Sequence, residues 1–211
     1  IAIELLMSFT YLGYIHIPPI SVTIAYLPIL VAGCLFGPIQ SSIIGCIFGM
    51  ASMYKASAYY VMPSDAIFSP FFSGSPVSSI FLSIGTRTIF GFLIGIAFLF
   101  VEKRKHYRIW IGVLSAIAPK MHSFIVYTTM GILFPQLGYH YYSAFHWKLD
   151  DTIFAMICVI TVELLYVIYQ SDAIQNMKSY INQSIENPYS SRKMNLLFIS
   201  FEFFMLCMAI F

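Results

Sequence analysis

The run from Ile80 to Val101 is the feature that most constrains how this chain folds. It is apolar apart from small and hydroxylated residues, and Arg87 is its only charged side chain. About 20 consecutive apolar residues are enough to cross the hydrocarbon core of a bilayer as an α-helix. A charge near the middle of such a helix costs roughly 3 kcal/mol or more, so an arginine kept there marks a functional hypothesis.

The composition supports a membrane environment for the whole chain. Only 9% of the 211 residues are charged and 59% are hydrophobic, whereas soluble domains carry about 25% charged residues. The net charge of +2 is too small to indicate nucleic-acid binding. Nucleophile-elbow, P-loop and zinc-protease motifs are absent from the sequence. We therefore expect an all-α integral membrane protein that is not an enzyme and needs no cofactor.

Apolar segments at seven places predict membrane-crossing helices: 1–15, 22–36, 39–54, 76–101, 109–134, 152–169 and 194–211. The second and third are short and meet at Gly37–Pro38, so a tight helical hairpin is an alternative to two separate spans. The first six predict a six-helix bundle within residues 1–170. Residues 171–192 are then a linker, and 193–211 hold a seventh transmembrane helix.

Basic residues predict the orientation of these helices. The densest cluster, "EKRKHYR" at 102–108, lies between the fourth and fifth spans and is expected in the cytoplasm. Alternation then places the N-terminus in the cytoplasm and the loops 16–21, 57–75 and 135–150 outside.

The linker segment has the pattern of an amphipathic helix. Ile174, Met177, Ile181 and Ile185 recur at helical spacing with polar residues between them. Such a helix lies on the inner leaflet of the membrane; a plain linker helix is the alternative.

Charges near the middle of predicted spans are Arg87, Lys120 and Glu163. In a structural interpretation, Arg87 pairs with Glu163 and locks two helices together, which leaves Lys120 without an acidic partner at its depth. In a functional interpretation, an outward-facing cavity has a surplus positive charge that binds a small solute through its carboxylate.

Small and hydroxylated residues add to this picture. On the fourth span they recur at every fourth position together with Arg87: Ser79, Ser83, Gly91 and Gly95. The two glycines form a GxxxG motif. Gly45 and Gly49 form a second such motif, which predicts close helix packing. On the fifth span, His122 and Tyr127 are further candidates for contact with the solute.

The outer loop 135–150 offers another interpretation. His140, His146, Asp150 and Asp151 are potential metal ligands, but an aromatic-rich loop at the membrane interface explains the segment better, and no metal is predicted. The four cysteines lie far apart in apolar runs (Cys34, Cys46, Cys158, Cys207) and are expected to be buried free thiols.

Residues 15–101 resemble the S components of energy-coupling factor (ECF) vitamin transporters, most closely the pantothenate group. The shared features, in order, are Pro18–Pro19, Thr23 to Pro28, Gly37–Pro38, Gly45/Gly49, Phe68–Phe71 and Arg87. Beyond Val101 the resemblance rests on helix number and on Glu163.

The resemblance implies a six-helix protein of the bacterial plasma membrane that binds its solute under the outer loops, where Phe68 and Ser69 lie. It also implies a coupling subunit driven by paired ATPases. Some features depart from the family: Tyr26 stands in place of a histidine, and Thr86 in place of a proline. The first helix lacks the Ala-x-x-x-Ala face that contacts the coupling subunit.

Two functions therefore stay open. One is uptake, in which the chain captures a pantothenate-like vitamin or a related carboxylate for an ECF transporter. The other is sensing, in which the same domain is the ligand-binding input of a membrane signalling protein with an output domain beyond Phe211. The seventh span and the missing alanine face favour sensing.

Overall fold

A computed structural model describes residues 1–10, 14–17, 20–23, 25–58, 63–138, 140–145 and 149–186 of the chain. Helices make up most of this part. The α-helices are α1 (Ala2–Phe9), α2 (Leu27–Phe36), α3 (Pro38–Ala58), α4 (Pro76–Ile80), α5 (Thr86–Glu102), α6 (Tyr107–Leu133), α7 (Leu149–Tyr169) and α8 (Asp172–Glu186). A π turn (Phe81–Gly85) joins α4 to α5, and 3-10 turns lie at Pro63–Phe68, Pro135–Leu137 and Tyr141–Phe145.

Among the described residues, three helices are long and apolar enough to cross a membrane. They are Pro76–Glu102, which runs continuously through α4, the π turn and α5, then Tyr107–Leu133 and Asp151–Tyr169. The predicted spans 76–101, 109–134 and 152–169 agree with them to within a few residues. Their uninterrupted apolar composition explains the agreement.

The N-terminal region differs from the prediction. The expected span 1–15 is wrong because α1 ends at Phe9 and the chain then forms a β-hairpin. Strand β1 (Tyr14–Ile17) pairs antiparallel with β2 (Ile20–Thr23). The second predicted helix likewise begins at Leu27 rather than at residue 22. β-Branched residues dominate 15–23 around Pro18–Pro19, and both features favour extended chain over helix.

A single residue separates α2 from α3. Gly37 has φ of 91°, a left-handed conformation that glycine adopts without steric cost, and Pro38 follows as the first residue of α3. The hydroxyl of Ser41 donates to the carbonyl of Ile29 at 2.8 Å, which ties the start of α3 back to α2. The turn predicted at Gly37–Pro38 is therefore confirmed.

The glycines of α3 and α5 let these two helices approach backbone to backbone. A Cβ added at Gly45 would overlap the carbonyl oxygen of Arg87, and one added at Gly49 would lie 2.6 Å from the carbonyl oxygen of Ser83. On the other helix, a Cβ at Gly91 would overlap the carbonyl oxygen of Ser41. Each GxxxG motif thus meets the backbone of the opposite helix, as the predicted close packing requires.

The main apolar core lies where α2, α5, α6 and α7 meet. Its fully buried members include Ile29, Phe90, Ile111 and Cys158. Cys34 and Cys158 are buried free thiols and Cys46 is half-buried; Cys207 lies outside the described residues. A second, smaller cluster packs the 3-10 turn at Pro63–Phe68 against the helices, through Ile67, Leu82, Met130 and Phe134.

Helix α8 begins three residues after α7 ends and contains the predicted amphipathic pattern. Met177 is 54% exposed, so much of this apolar residue is not covered by protein within the described ranges. The predicted seventh span, 194–211, lies outside the described residues, and so does the rest of the linker beyond Glu186.

Gly45→Ala should destabilise the protein by roughly 1–3 kcal/mol, because its methyl group meets backbone that cannot move aside. Gly112→Ala is the matched control in another apolar helix. Its Cβ would lie 3.6 Å from Glu163 Oε1, an ordinary contact, so its stability should be unchanged or higher. Thermal unfolding in detergent measures both. Equal stability of the two variants would contradict the close approach of α3 and α5.

Candidate functional site

Arg87 is held by backbone carbonyls and a hydroxyl. Its Nη1 donates to the carbonyl oxygen of Ser83 at 2.8 Å and to that of Leu82 at 3.4 Å. Its Nη2 donates to Ser52 Oγ on α3 at 3.0 Å. Both acceptor carbonyls belong to the π turn, so the side chain folds back along its own helix and also reaches α3.

Two aromatic rings also lie against Arg87. The guanidinium carbon lies 4.9 Å from the ring centre of Phe48 and 5.4 Å from that of Phe68, within the range of cation–π attraction. The residue is 7% exposed. Its charge is therefore stabilised by oriented dipoles and ring faces inside the protein.

The predicted Arg87–Glu163 pair is wrong. Glu163 Oε2 lies 3.9 Å from Nε of Arg108, at the start of α6, and the Arg108 side chain is 59% exposed. An exposed pair of this kind contributes little to stability. The basic cluster at 102–108 thus provides the partner of Glu163, whose position six residues before the end of α7 brings it close to that cluster.

The serines on the Arg87 face hold the loop above it. Ser79 Oγ donates to the carbonyl of Ile67 at 2.6 Å, and Ser83 Oγ donates to that of Phe68 at 2.8 Å. Ser69 is buried, and its hydroxyl lies 2.8 Å from that of Ser57 at the end of α3. Four predicted site residues, Arg87, Ser83, Phe68 and Ser69, therefore come together, but their polar contacts are mostly with one another and with backbone.

Lys120 has an acidic partner, contrary to the prediction. Its Nζ lies 2.8 Å from Oδ2 of Asp151. The side chains are 17% and 32% exposed, so the pair is half-buried. The sequence assigned Asp151 to an outer loop, but α7 begins at Leu149 and places this carboxylate in its first turn, where the helix dipole favours negative charge.

This ion pair lies beside a groove between α6 and α7. The groove has a volume of about 540 Å³ and an almost wholly apolar surface. Its walls are Ala116, Ile117, Lys120, Phe145, Thr152, Ala155, Met156, Val159 and Ile160. Lys120 is the only charged residue among them. The groove therefore combines a cationic group with an apolar wall of the size that small ligands occupy.

His122 belongs to the core and faces away from this groove. Its ring stacks on Tyr26 with centroids 5.4 Å apart and meets the ring of Phe90 edge-on at 5.1 Å. Its Nε2 is buried and has no hydrogen-bond partner among the described residues. His122 and Lys120 are two positions apart on α6, so they lie on different sides of the helix.

Tyr127 joins a third group of contacts. It packs, half-buried, against the small cluster formed by Ile67 and Leu82, next to Phe68. The eight predicted site residues thus divide between the Arg87 cluster with Tyr127 beside it, the Lys120 groove, the stacked ring of His122 and the distant Glu163 pair.

Two of the four potential metal ligands, His140 and Asp151, have other contacts in the described structure. His140 stacks on Tyr142 at 4.9 Å, Asp151 binds Lys120, and His146 lies outside the described residues. Across the described ranges, no group of three or more His, Cys, Asp or Glu side chains could hold a metal ion.

Three polar residues that make contacts in the structure were not predicted from the sequence. Ser52 binds Arg87 and lies three positions after Gly49. Helical spacing therefore predicts that it lies on the packing face of α3. The predicted helix began after Asp151, so the sequence did not indicate the position of this residue in α7. Glu4 is fully buried and its Oε1 accepts from Ser8 Oγ at 3.0 Å; the polar pair at positions i and i+4 in an apolar helix was its signal.

Comparison with known proteins adds no relative. The chain matches no protein-family model, and no curated protein is similar to it. The geometry of the site therefore carries the functional inference.

Double-mutant cycles should separate the partners of Arg87. Arg87→Met removes charged donors from buried carbonyls and should destabilise the protein by about 2–4 kcal/mol. The cycle with Ser52→Ala should give a coupling energy of roughly 0.5–3 kcal/mol, since these side chains are in contact. The cycle with Glu163→Gln should be additive within about 0.5 kcal/mol. Free energies of unfolding in detergent provide the test, and strong coupling to Glu163 would restore the predicted pair.

Proposed function

We propose that this protein binds a small carboxylate solute, such as a pantothenate-like vitamin, in the membrane-embedded groove between α6 and α7. The observation that carries the proposal is the position of Lys120, the only charged residue among the described residues on the wall of that groove. A cationic group on an apolar surface orients an anionic solute while the wall buries its body.

The polar and apolar parts of the groove lie at different depths. Thr152 is in the first turn of α7 beside the ion pair of Lys120, whereas Ile160 is eight residues deeper. Eight helical residues span about 12 Å. A solute of matching polarity would place its carboxylate near the start of α7 and its apolar body between the helices.

Lys120 lines the groove and also binds Asp151 at its polar end. Arg87 is a weaker candidate for the ligand charge, because its contacts lie inside the protein and only 7% of the residue is exposed.

The apolar helices support a place in the membrane for this site. We propose a multi-pass protein of the bacterial plasma membrane, with six helices in residues 1–170, a seventh after the linker, and a cytoplasmic N-terminus. Lys103, Arg104 and Lys105 are exposed between α5 and α6 and would lie in the cytoplasm. The start of α7, and with it the polar end of the groove, would then face outward.

Uptake and sensing are the two roles that this binding would serve. The sequence resemblance to ECF S components supports uptake, with a coupling subunit and its ATPases as partners. The large residues exposed at α1 favour sensing. Ile1, Ile3 and Phe9 are exposed, whereas contact with an ECF coupling subunit needs small residues on the first helix. Co-purification with an ECF coupling subunit distinguishes the two roles.

Lys120→Gln tests the proposed contact. The variant should lose most of the thermal stabilisation that pantothenate or a related carboxylate gives the unmodified protein, with apparent affinity at least about tenfold weaker. Each shift is measured in detergent against the same variant without ligand, so any loss of basal stability cancels. Lys105→Gln, in the exposed turn before α6, is the control and should respond like the unmodified protein.

Full ligand-induced stabilisation of Lys120→Gln would remove Lys120 from the site. If no small carboxylate stabilises even the unmodified protein, the proposal of anion binding in this groove fails.

A further inference from the structure

We infer that the short turn between α5 and α6 binds the headgroup of an anionic phospholipid at the membrane surface. Lys103, Arg104 and Lys105 form this basic turn. Because α5 and α6 both belong to helices long and apolar enough to cross a membrane, the few residues that join them would lie at one face of the bilayer. The carboxylate groove lies farther along α6, so the two surfaces are separate.

The basic turn concentrates positive charge in a small space. All three of its residues are exposed, and their side chains form no hydrogen bond or ion pair with the described residues. Consecutive Cα atoms are about 3.8 Å apart, so the three side chains originate within about 8 Å of one another. Glu102 offsets one of these charges, and the segment keeps a net positive charge. Clusters of this kind beside a membrane-crossing helix attract anionic headgroups.

Arg108 adds a fourth cation next to the basic turn. Its Nε lies 3.9 Å from Oε2 of Glu163, and its side chain is 59% exposed. An exposed ion pair at this distance contributes little stability. A lipid phosphate can therefore share the guanidinium with Glu163, since a guanidinium carries five N–H donors.

Apolar and aromatic side chains follow the charges on the first turns of α6. Ile109 is 68% exposed, Trp110 51% and Val113 41%. Tryptophan is typical of the interface, where its indole N–H meets polar groups and its ring meets hydrocarbon. The order along the chain is thus cations, an indole and then apolar side chains. It matches the order of phosphate, glycerol ester and acyl chain in a phospholipid.

Contacts with α7 fix the position of this surface. The ring of half-buried Tyr107, the first residue of α6, meets the ring of Tyr166 edge-on with centroids 6.0 Å apart. The hydroxyl of Tyr166 in turn accepts from Nε2 of Gln170 at 2.9 Å. The start of α6 is therefore held against the end of α7, and the charges beside it are preorganised for a headgroup.

Quenching of Trp110 by brominated lipids tests which phospholipid occupies this surface. The full chain with Trp147→Phe, in which Trp110 is the only tryptophan, is placed in phosphatidylcholine nanodiscs. These contain brominated phosphatidylglycerol or the same fraction of brominated phosphatidylcholine. Phosphatidylglycerol should associate at least about fivefold more strongly at low salt. In about 1 M salt the preference should fall below about twofold, because screening acts over a few ångströms there.

The combined substitution Lys103→Gln, Arg104→Gln and Lys105→Gln should reduce the low-salt preference to about twofold or less, because the charges that attract the headgroup are lost. Far-UV circular dichroism in the same nanodiscs checks that the helices remain.

The control removes the same number of charges from the segment after α7, by combining Lys178→Gln, Arg192→Gln and Lys193→Gln. It should keep the fivefold preference.

Equal quenching by the two lipids at low salt would overturn the inference, because charges that only orient the helices need no particular headgroup. A preference that survives neutralisation of the basic turn, or that the control loses equally, would overturn it as well. If inorganic phosphate at matched ionic strength removes the preference, the turn binds a free anion rather than a lipid, and the inference fails. None of these outcomes bears on carboxylate binding in the groove.

Discussion

The contact between α3 and α5 is the interaction on which the rest of the structure depends. In a bilayer the apolar side chains of a helix gain little by leaving lipid, so helices associate through close packing and internal hydrogen bonds. Gly45 and Gly49 provide the packing, since a side chain at either position would run into the backbone of the facing helix. Arg87 provides the hydrogen bonds, because it joins the π turn to Ser52.

Other elements are arranged around this contact. The loop that holds Ile67 and Phe68 is bound by serines of the same helix as Arg87. On the other side, Gly33 of α2 approaches the backbone of Gly95, with a distance of 3.3 Å from an added Cβ to the Cα of Gly95. The α3–α5 contact thus positions both the loop and α2, and α6 and α7 complete the core.

Arg87 has contacts inside the protein that explain its place in an apolar helix. A buried guanidinium is stabilised by carbonyls, a hydroxyl and aromatic faces, and such groups contact it here. The functional hypothesis therefore rests on Lys120, which lines the groove between α6 and α7 and pairs with Asp151. The two charges therefore have different roles although both occur in apolar helices.

The sequence predicted the long helices and the glycine contacts well, because both depend on local composition and spacing. It did not predict partners across helices. Helical spacing gives the face of α7 on which Glu163 lies, but not which residue of a neighbouring helix is its ionic partner. That partner is Arg108 rather than the predicted Arg87.

Two further differences have local physical causes. The π turn at Phe81–Gly85, which is wider than an α-helical turn, interrupts the α-helix predicted over 76–101. Apolar residues before Pro18–Pro19 continued the predicted first helix, but the chain pairs as strands there. A mean hydropathy scan does not distinguish these β-branched residues from helical ones.

Site-specific labelling at Thr152 tests most directly whether the groove is an outward-facing ligand site. Thr152→Cys is made in a chain whose native cysteines are replaced by alanine, and intact cells are treated with a membrane-impermeant maleimide. The proposed site predicts labelling from outside that pantothenate or a related carboxylate slows. Leu137→Cys, in an exposed turn, should be labelled without protection, and His106→Cys should not be labelled. Labelling of Thr152→Cys only from the cytoplasmic side, or labelling that no carboxylate slows, would contradict the assignment.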